Sequence, residues 1–599
     1  LAGTARAERR ALLSKPGPSA CRVGLDLLLR FHLSAHRVFH RDICLHPGFL
    51  LCHRLSRRKN ASTWSGAVHG LRMGGLCGAA GTTVTPRGAF VGHLRGWCMI
   101  EDLIGAGFAL MTWSNVAAMV FGTLIGIVIG ALPGLTTTIG LAILIPLSFG
   151  LSPLVALGLM AGLYNGSMYG GAIPAILLNI PGTPAAIATT FDGYPMTEQG
   201  NAASALRVAC FSSAVGGFSS ALALLLLAPP LSLVTLAFGP PEYFWIATFG
   251  LVSIAVLIGG DPIKGMISAL LGLLISSVGM DTVTGRIRFS FGRLELVDGV
   301  NIVVVLIGLF ALPRVLQMAE DAVTRGVRVS DLKIGRGQST PFPIAHLIPT
   351  WIRSSVIGIM VGILPGAGGN IAAFLSYNEA KRSDRDPESF GKGNPKGVAA
   401  AEAGNSSDNA ASMIPTLTLG VPGNAIAALI MGGLLVHGLQ PGPSLFRDNG
   451  EIVYGFVLQM MITSVLLFAL GGMIATRIFA QVLRVPQVML APMIVALMCL
   501  GLYTVNNSQF ELFMMIGFGV FGYILMRMQF PLPPLILGVI LGGMAEQNLR
   551  TALLISRGDW WHLLASPISK TIAGLVVLVL LVPLYRHVRE RQSEALKNG

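Results

Sequence analysis

The chain has 599 residues, 53% hydrophobic but only 12% charged, with 74 glycines and a mean hydropathy of +0.69. A soluble domain carries about 25% charged residues, so a soluble globular fold is excluded in favour of a polytopic membrane protein, in which abundant small residues let helices approach closely. The net charge of +14 would suit nucleic acid if it were spread along the chain, but it is not.

Residues 1–98 hold 15 Lys/Arg against Glu8, Asp26 and Asp42, so +12 of the +14 sits there, with seven of the eleven histidines and five of the seven cysteines. This stretch has no sustained hydrophobic period and ends at Cys98, just before Met99. Met99 reads as the physiological start, and 1–98 as a basic, non-native or disordered extension. An Arg-rich transit peptide is the rival reading. His32, His36 and His40 share a helical spacing and Cys52 precedes His53. Without paired Cys-x-x-Cys spacing these do not form a zinc pattern. Cys210 and Cys499, the remaining thiols, lie in apolar runs and imply no disulfide framework.

From Met99 the apolar runs come in quick succession. Residues 102–113 are short enough to lie at the interface, and 114–132 is the first clear span. The region 138–179 is broken, because Pro133, Pro146, Pro153, Pro174 and Pro181 forbid one uninterrupted helix. Further spans are expected at 203–228, 243–260, 263–279 and 300–316. The second half offers 346–364, a broken region 367–437, then 452–475, 488–504, 509–528, 533–548 and 567–584. The expected fold is therefore an all-α polytopic membrane protein with about twelve transmembrane segments.

Basic loops set the orientation. The linker 318–345 carries Arg325, Arg328, Lys333 and Arg336. The stretch 381–397 carries Lys381, Arg382, Arg385, Lys392 and Lys396, and the tail 586–599 carries Arg586, Arg589, Arg591 and Lys597. All three read as cytoplasmic, the C-terminus included. The linker divides a first membrane repeat, 99–317, from a second, 346–585.

The repeat rests on matched motifs. Gly126-Ile-Val-Ile-Gly130-Ala-Leu-Pro133-Gly134 returns 232 positions later as Gly358-Ile-Met-Val-Gly362-Ile-Leu-Pro365-Gly366. Asn165-Gly-Ser-Met-Tyr-Gly-Gly-Ala-Ile-Pro174 with Pro181-Gly182 answers Asn405-Ser-Ser-Asp408-Asn-Ala-Ala-Ser-Met-Ile-Pro415 with Pro422-Gly423, and the two proline pairs share an offset of 241. The charged insert between Lys381 and Lys396 accounts for the difference. Two homologous repeats with paired broken helices or re-entrant segments are the expected organisation.

Lipid cannot hydrogen-bond an exposed backbone, so an interrupted helix survives at membrane depth only inside protein or beside a water-filled cavity. Matched breaks in two repeats are the best sequence pointer to a transporter's central site. A half-helix starting after Pro133-Gly134 or Pro365-Gly366 would aim free N–H groups inward and favour an anion by roughly 0.3–1 kcal/mol. The substrate-binding candidates are Pro133, Gly134, Thr136, Thr137, Thr138, Asn165, Ser167, Pro181, Gly182 and Thr183 in the first half. In the second they are Pro365, Gly366, Gly368, Gly369, Asn370, Pro422, Gly423 and Asn424. Kinks between packed helices are the plainer alternative, and fixed-offset repetition argues against it.

An ionisable group inside a bundle by default marks an ion or proton path. Asn405, Ser406, Asp408 and Asn409 are the candidates for a coupling cation, Na⁺ or H⁺, held by oxygens. A position nearer the interface stays open for Asp408, since Lys396 and Glu402 are close upstream. Asp192 and His437 fall at the ends of the matched regions and read as boundary or gate residues.

At these motifs the chain resembles a known family. Leu132-Pro-Gly-Leu-Thr-Thr-Thr138, Tyr164-Asn-Gly-Ser-Met-Tyr-Gly-Gly-Ala-Ile-Pro174, Asn179-Ile-Pro-Gly-Thr-Pro184, Phe191-Asp-Gly-Tyr-Pro-Met196 and His437-Gly-Leu-Gln-Pro-Gly-Pro443 resemble the large membrane subunit, TctA, of tripartite tricarboxylate transporters. The resemblance covers about residues 99–590. It implies a bacterial inner-membrane secondary transporter importing citrate or a related carboxylate. Its implied partners are a small membrane subunit and a periplasmic solute-binding protein; no cofactor is expected, and the clustering of the positive charge in 1–98 argues against nucleic acid.

The absence of a Gly-x-x-x-x-Gly-Lys-Ser/Thr pattern argues for ionic coupling rather than ATP use within this chain. An enzyme would need a nucleophile with a base or a metal set, and His346, His437, His562 and His587 are scattered. A stand-alone channel or a non-transporting scaffold subunit is the alternative class. A channel wants a continuous polar path, whereas paired half-helices suit alternating access.

Overall fold

In the computed structural model the described residues are 101–132, 134–235, 237–257, 261–281, 284–325, 344–482 and 487–581. The extension 1–98, most of the linker 318–345 and the basic tail lie outside them, as does Pro133. Between its turns and loops, the regular structure of the described residues is helical except for one antiparallel pair, β1 (Gly279–Met280) and β2 (Ile287–Arg288).

The first half runs α1 (Trp113–Ala131), α2 (Thr137–Leu147), α3 (Pro153–Gly170), α4 (Ala172–Leu178), α5 (Ile187–Glu198), α6 (Ala202–Thr235), α7 (Pro240–Leu257) and α8 (Pro262–Ser276). After the hairpin come α9 (Ile302–Leu306), a π-turn at Ile307–Ala311 and α10 (Leu312–Arg325). The second half runs α11 (Ile348–Ile363), α12 (Gly368–Ser383), α13 (Pro395–Ala411), α14 (Met413–Leu419) and α15 (Ala425–Val436). Then follow α16 (Gly450–Val482), α17 (Gln487–Asn506), α18 (Gln509–Arg527), α19 (Leu532–Ile555) and α20 (Pro567–Leu581).

Six of the described helices are long and apolar enough to cross a membrane, and five shorter apolar helices of 10–17 residues accompany them. Their outer faces carry bare hydrocarbon: Phe513, Met360, Leu274 and Leu226 are each more than half exposed. A protein in water would bury such side chains, whereas a bilayer solvates them.

The expected breaks occur where the covalent chemistry demands them. Leu132 is extended after α1, Gly134 takes φ +96°, and α2 begins at Thr137. Leu364 is likewise extended after α11, Gly366 takes φ +90° and Gly368 +66°, and α12 begins there. Only glycine reaches that left-handed region without steric cost. The α3–α4 break at Gly171 and the α13–α14 break at Ser412 each lead into a seven-residue helix, which ends on left-handed Asn179 or Gly420 respectively.

Not every proline breaks its helix. The span expected to end at residue 228 continues through Pro229 and Pro230 to Thr235. Each proline removes one N–H near the helix end, and Ser232 donates its hydroxyl to the Pro229 carbonyl at 2.7 Å. The carbonyls left without an N–H partner are those of Leu225 and Leu226, four residues before each proline, and neighbouring groups in a membrane bundle can re-satisfy such carbonyls.

Glycine stripes set the closest helix contacts. A Cβ at Gly126 of α1 would sit 2.5 Å from the Leu163 carbonyl oxygen of α3, and one at Gly358 of α11 would sit 2.4 Å from the Gly404 oxygen of α13. The backbones touch because there is no side chain between them. This packing leaves α3 and α13 as the buried central helices of the two halves: Ala156–Gly170 and Gly397–Ala411 are buried without interruption.

Candidate functional site

Helix α13 carries an unusual load for a buried helix. Glu402, Asn405, Ser406, Ser407, Asp408 and Asn409 are all at most 1% exposed. Asp408 therefore lies in the protein interior. One Asp408 carboxylate oxygen, Oδ2, accepts the Asn424 side-chain N–H at 2.7 Å. The backbone N–H of Gly369, in the first turn of α12, also faces the carboxylate. The Pro365-Gly366 break delivers that free N–H, and a helix N-terminus favours negative charge.

Asn424 is the hinge of this arrangement. Its Oδ1 accepts the Ala427 N–H at 2.8 Å and so caps α15, while its amide also reaches the Tyr164 hydroxyl of α3 at 3.2 Å. Gly369 is glycine for a steric reason. A Cβ there would fall 2.6 Å from Asn405 Oδ1 and close the approach of α12 to α13.

Around the carboxylate, several buried polar atoms have no hydrogen-bond partner among the described residues: Asn405 Oδ1 and Nδ2, Ser406 Oγ, Asp408 Oδ1 and Asn409 Oδ1. Leaving such an atom unpaired costs about 1–3 kcal/mol each. Native structures rarely concentrate them unless water, an ion or a ligand satisfies them. Four of the five are hard oxygens, one of them a carboxylate oxygen, which suits an alkali or alkaline-earth cation rather than a thiophilic metal; the fifth, the Asn405 amide nitrogen, is a donor and calls for an acceptor instead. Among the described residues no three His, Cys, Asp or Glu converge on a point.

The first half builds a milder version. Thr137 opens α2 and is buried, and Ser167 of α3 donates to its hydroxyl at 2.8 Å. Thr136 and Thr138 pair with each other at 2.6 Å. Thr183 is buried with its hydroxyl unpartnered, pressed against Gly171, where a Cβ would lie 2.6 Å from it. The Gly134 carbonyl accepts Arg314 Nε at 2.9 Å. Gly182 packs on the Gly130 carbonyl and on Gly171, as Gly423 packs on the Gly362 carbonyl and on Ser412. Gly366 N–H donates to the Gly423 carbonyl at 2.7 Å, joining the two breaks of the second half. Pro422 is buried, Pro181, Pro365 and Gly368 are half-buried, and Asn370 is exposed. Asn370 follows buried Gly369 on α12, and one residue further round a helix points away from the cluster.

Asn165 lies among hydrogen-bond partners from two other helices, α13 and α16. Its amide nitrogen donates towards Met460 O, Thr463 Oγ1 and Ser464 Oγ of α16 at 3.1, 2.9 and 3.2 Å. Its oxygen accepts Asn409 Nδ2 at 2.9 Å. With its hydrogen-bonding capacity engaged, Asn165 positions α3, α13 and α16 against one another.

Asp192 is a clamp. Fully buried at the middle of α5, it accepts the N–H groups of Gly391, Gly393 and Asn394 on one oxygen at 2.8–2.9 Å, and the Tyr377 hydroxyl on the other at 2.9 Å. The insert between Lys381 and Lys396 is thereby tied to the first half. In the basic stretch 381–397, read from the sequence as a cytoplasmic loop, Lys396 bonds Asp384 at 2.5 Å. Burial alone would raise the Asp384 carboxyl. The Lys396 hydrogen bond, backbone N–H groups and the Lys396 charge outweigh it and hold the group below its ordinary 3.8. His437 ends α15 with Nε2 3.3 Å from Ser148 Oγ, where α2 ends.

Two site residues escape a sequence reading. Tyr164 sits beside Asn165 in the motif, yet only its contact with Asn424 marks it. Glu402, read as a sign of the interface, is wholly buried. It accepts hydrogen bonds from Thr189 Oγ1 at 2.5 Å and Ser213 Oγ at 2.7 Å.

Comparison with known proteins bears on this architecture. Residues 116–537 match the tripartite tricarboxylate transporter TctA family. An uncharacterized 52.8 kDa protein in the TAR-I ttuC' 3' region of Agrobacterium vitis is 34% identical over 487 residues, 81% of this chain and 96% of that protein. An uncharacterized protein in the TAR-II ttuC' 3' region of the same organism is 34% identical over 237 residues, 40% of this chain and 98% of that protein. No solved structure gives a significant match. The glycine- and proline-punctuated helices and the buried polar centre thus lie within the matched region, and the chain belongs to the TctA family of tripartite tricarboxylate transporters.

Proposed function

We propose that this chain is the large transmembrane subunit of a binding-protein-dependent, ion-gradient-driven importer of citrate-like tricarboxylates or related carboxylates in the bacterial inner membrane. Its two halves act as homologous repeats of a roughly twelve-span unit with a cytoplasmic C-terminus. A periplasmic solute-binding protein hands the anion to a cavity between the halves, and a small membrane subunit completes the assembly. The N-termini of α2 and α12, with Thr136, Thr137, Thr138, Thr183 and neighbouring backbone N–H groups, attract the carboxylates. Asn405, Ser406, Asp408 and Asn409 take the coupling cation.

One observation carries this reading: a buried carboxylate at a helix break, surrounded by unpartnered oxygens and amide groups on the central helix of the second half. Such a group is costly in a membrane and by default marks an ion path. Half-helix ends at the breaks of two halves match the way secondary transporters build a midplane site. A cation at Asp408 would also offset the charge of the incoming anion, which links the two binding events electrostatically.

The test is uptake of radiolabelled citrate by vesicles holding the chain with its two partner subunits, with and without an imposed Na⁺ gradient. Sodium-dependent accumulation that vanishes in Asp408→Asn is the expected result. Accumulation unchanged in that variant, at equal folded protein, would refute the cation assignment. No citrate accumulation under either Na⁺ or H⁺ gradients would move the substrate to another carboxylate.

A further inference from the structure

Helix α13 presents a second carboxylate on a different side from Asp408. Six residues separate Glu402 from Asp408, which is about 600° of helical rotation, or 240° round the axis. Asp408 meets α12 and the residue capping α15, whereas Glu402 meets α5 through Thr189 and α6 through Ser213. The Glu402 side chain is 0% exposed. Tyr169 of α3 and Cys210 of α6 are the other titratable groups close enough to feel its charge. Among the described residues no Lys, Arg or His pairs with it. The remaining acid on α5, Asp192, is occupied by the Gly391–Asn394 backbone and Tyr377.

The partners of Glu402 are hydroxyls, and that choice matters. A lysine or arginine would hold the carboxylate permanently ionised. A hydroxyl can donate to a carboxylate or accept from a carboxylic acid, so Thr189 and Ser213 satisfy both forms. Both partners belong to the first half of the chain, while Glu402 belongs to the second. Its protonation state therefore acts on the contact between α13 and the α5–α6 pair. Further along the same helix, Ser407 Oγ reaches the Gly216 carbonyl at 3.2 Å and the Ala410 N–H reaches Ser220 Oγ at 3.4 Å, both on α6.

We propose that Glu402 is a proton-binding site, separate from the Asn405–Asn409 cluster, which alternates between carboxylate and carboxylic acid as the two halves move. The inference rests on the reading of the chain as an ion-driven transporter. One proton from bulk water bonds to one Glu402 oxygen and discharges its negative charge. The new O–H donates to Ser213 Oγ, whose own hydrogen turns to a carbonyl one turn back on α6. No electron moves and no other reactant is consumed. Release to the opposite side reverses each step. The transporter would then be driven by a proton at Glu402 together with a metal cation at Asp408.

Infrared difference spectroscopy of the purified full chain, taken from acidic to alkaline pH, tests the assignment directly. The expected result is a protonated-carboxyl band that grows on acidification, moves when the chain carries isotope-labelled glutamate, disappears in Glu402→Gln and persists in Asp408→Asn. Glu402→Gln keeps the shape and most of the hydrogen bonds, and the labelled parent chain decides the matter if that variant does not fold. A band that is invariant with pH, or that survives Glu402→Gln unchanged, would overturn the proposal. In vesicles with the partner subunits, Glu402→Gln should take up citrate down a Na⁺ gradient but lose the response to an imposed pH gradient. A wild-type pH response in that variant would also overturn it. Failure of citrate uptake in the unmutated assembly would count against the transport reading alone, and the infrared result would still decide Glu402.

Discussion

Asn409 donates its side-chain N–H to the Asn165 oxygen at 2.9 Å, joining the two buried central helices across 244 residues of sequence. The Asn165 amide in turn binds α16. This pair sets the spacing of α3 and α13 and so the position of everything attached to them.

Asn165→Ala should accordingly destabilise the protein without abolishing folding. It leaves Asn409 Nδ2 and the hydroxyls of α16 to find other partners, at about 1–3 kcal/mol for each buried group left unpaired. A lowered melting transition of the detergent-solubilised chain is the expected readout. An unchanged transition would mean that the pair is not a structural tie.

Asn424→Ala removes three interactions at once, the hydrogen bonds to Asp408 and to the Tyr164 hydroxyl and the cap of α15. Loss of such a cap costs about 0.5–2 kcal/mol. If the Asp408 region binds Na⁺, protection of the chain from thermal unfolding by Na⁺ should also weaken in this variant. Na⁺ protection equal to that of the parent chain would remove Asn424 from the site.

Gly126→Leu places a side chain where even a Cβ would lie 2.5 Å from the Leu163 carbonyl oxygen. The α1–α3 contact must open, at a cost of about 1–3 kcal/mol or more. Reduced yield of folded protein and a lower melting transition are expected, while Gly107→Ala, where nothing lies within 4 Å, should change neither.

The Asp384–Lys396 pair makes a pH prediction. The Asp384 carboxyl is held below 3.8, so its contribution to the insert is present at neutral pH and is lost as pH falls through that lowered value. Asp384→Asn should loosen residues 384–397 at neutral pH and narrow the difference from the parent chain in strong acid. Hydrogen exchange of the insert would show it; equal protection at neutral pH would mean that the Asp192 clamp suffices by itself.

Thr137→Val tests the first half. Thr137 is buried and accepts the Ser167 hydroxyl. A raised apparent KM for citrate uptake is expected if the α2 N-terminus meets the substrate, whereas an unchanged KM with a lower melting transition would assign Thr137 to packing.

What the sequence determined by itself was local and covalent. Apolar runs become helices, since an unpaired backbone has no place in hydrocarbon. The helices stop where Pro133-Gly134 and Pro365-Gly366 stand, because proline lacks an N–H and glycine reaches positive φ. Both features belong to a few consecutive residues, as do the motifs that carry the family resemblance. Tertiary structure decided which polar groups in those broken regions meet. Asn165 and Asp408 look alike as ligand candidates along the chain, yet one has its hydrogen bonds engaged by α16 and Asn409 while the other retains an unpartnered oxygen. Glu402 and Asp408 share a helix and a burial, but the 240° between them gives them different neighbours. Burial and partnership are sums over groups hundreds of residues apart, and only the packed chain brings them together.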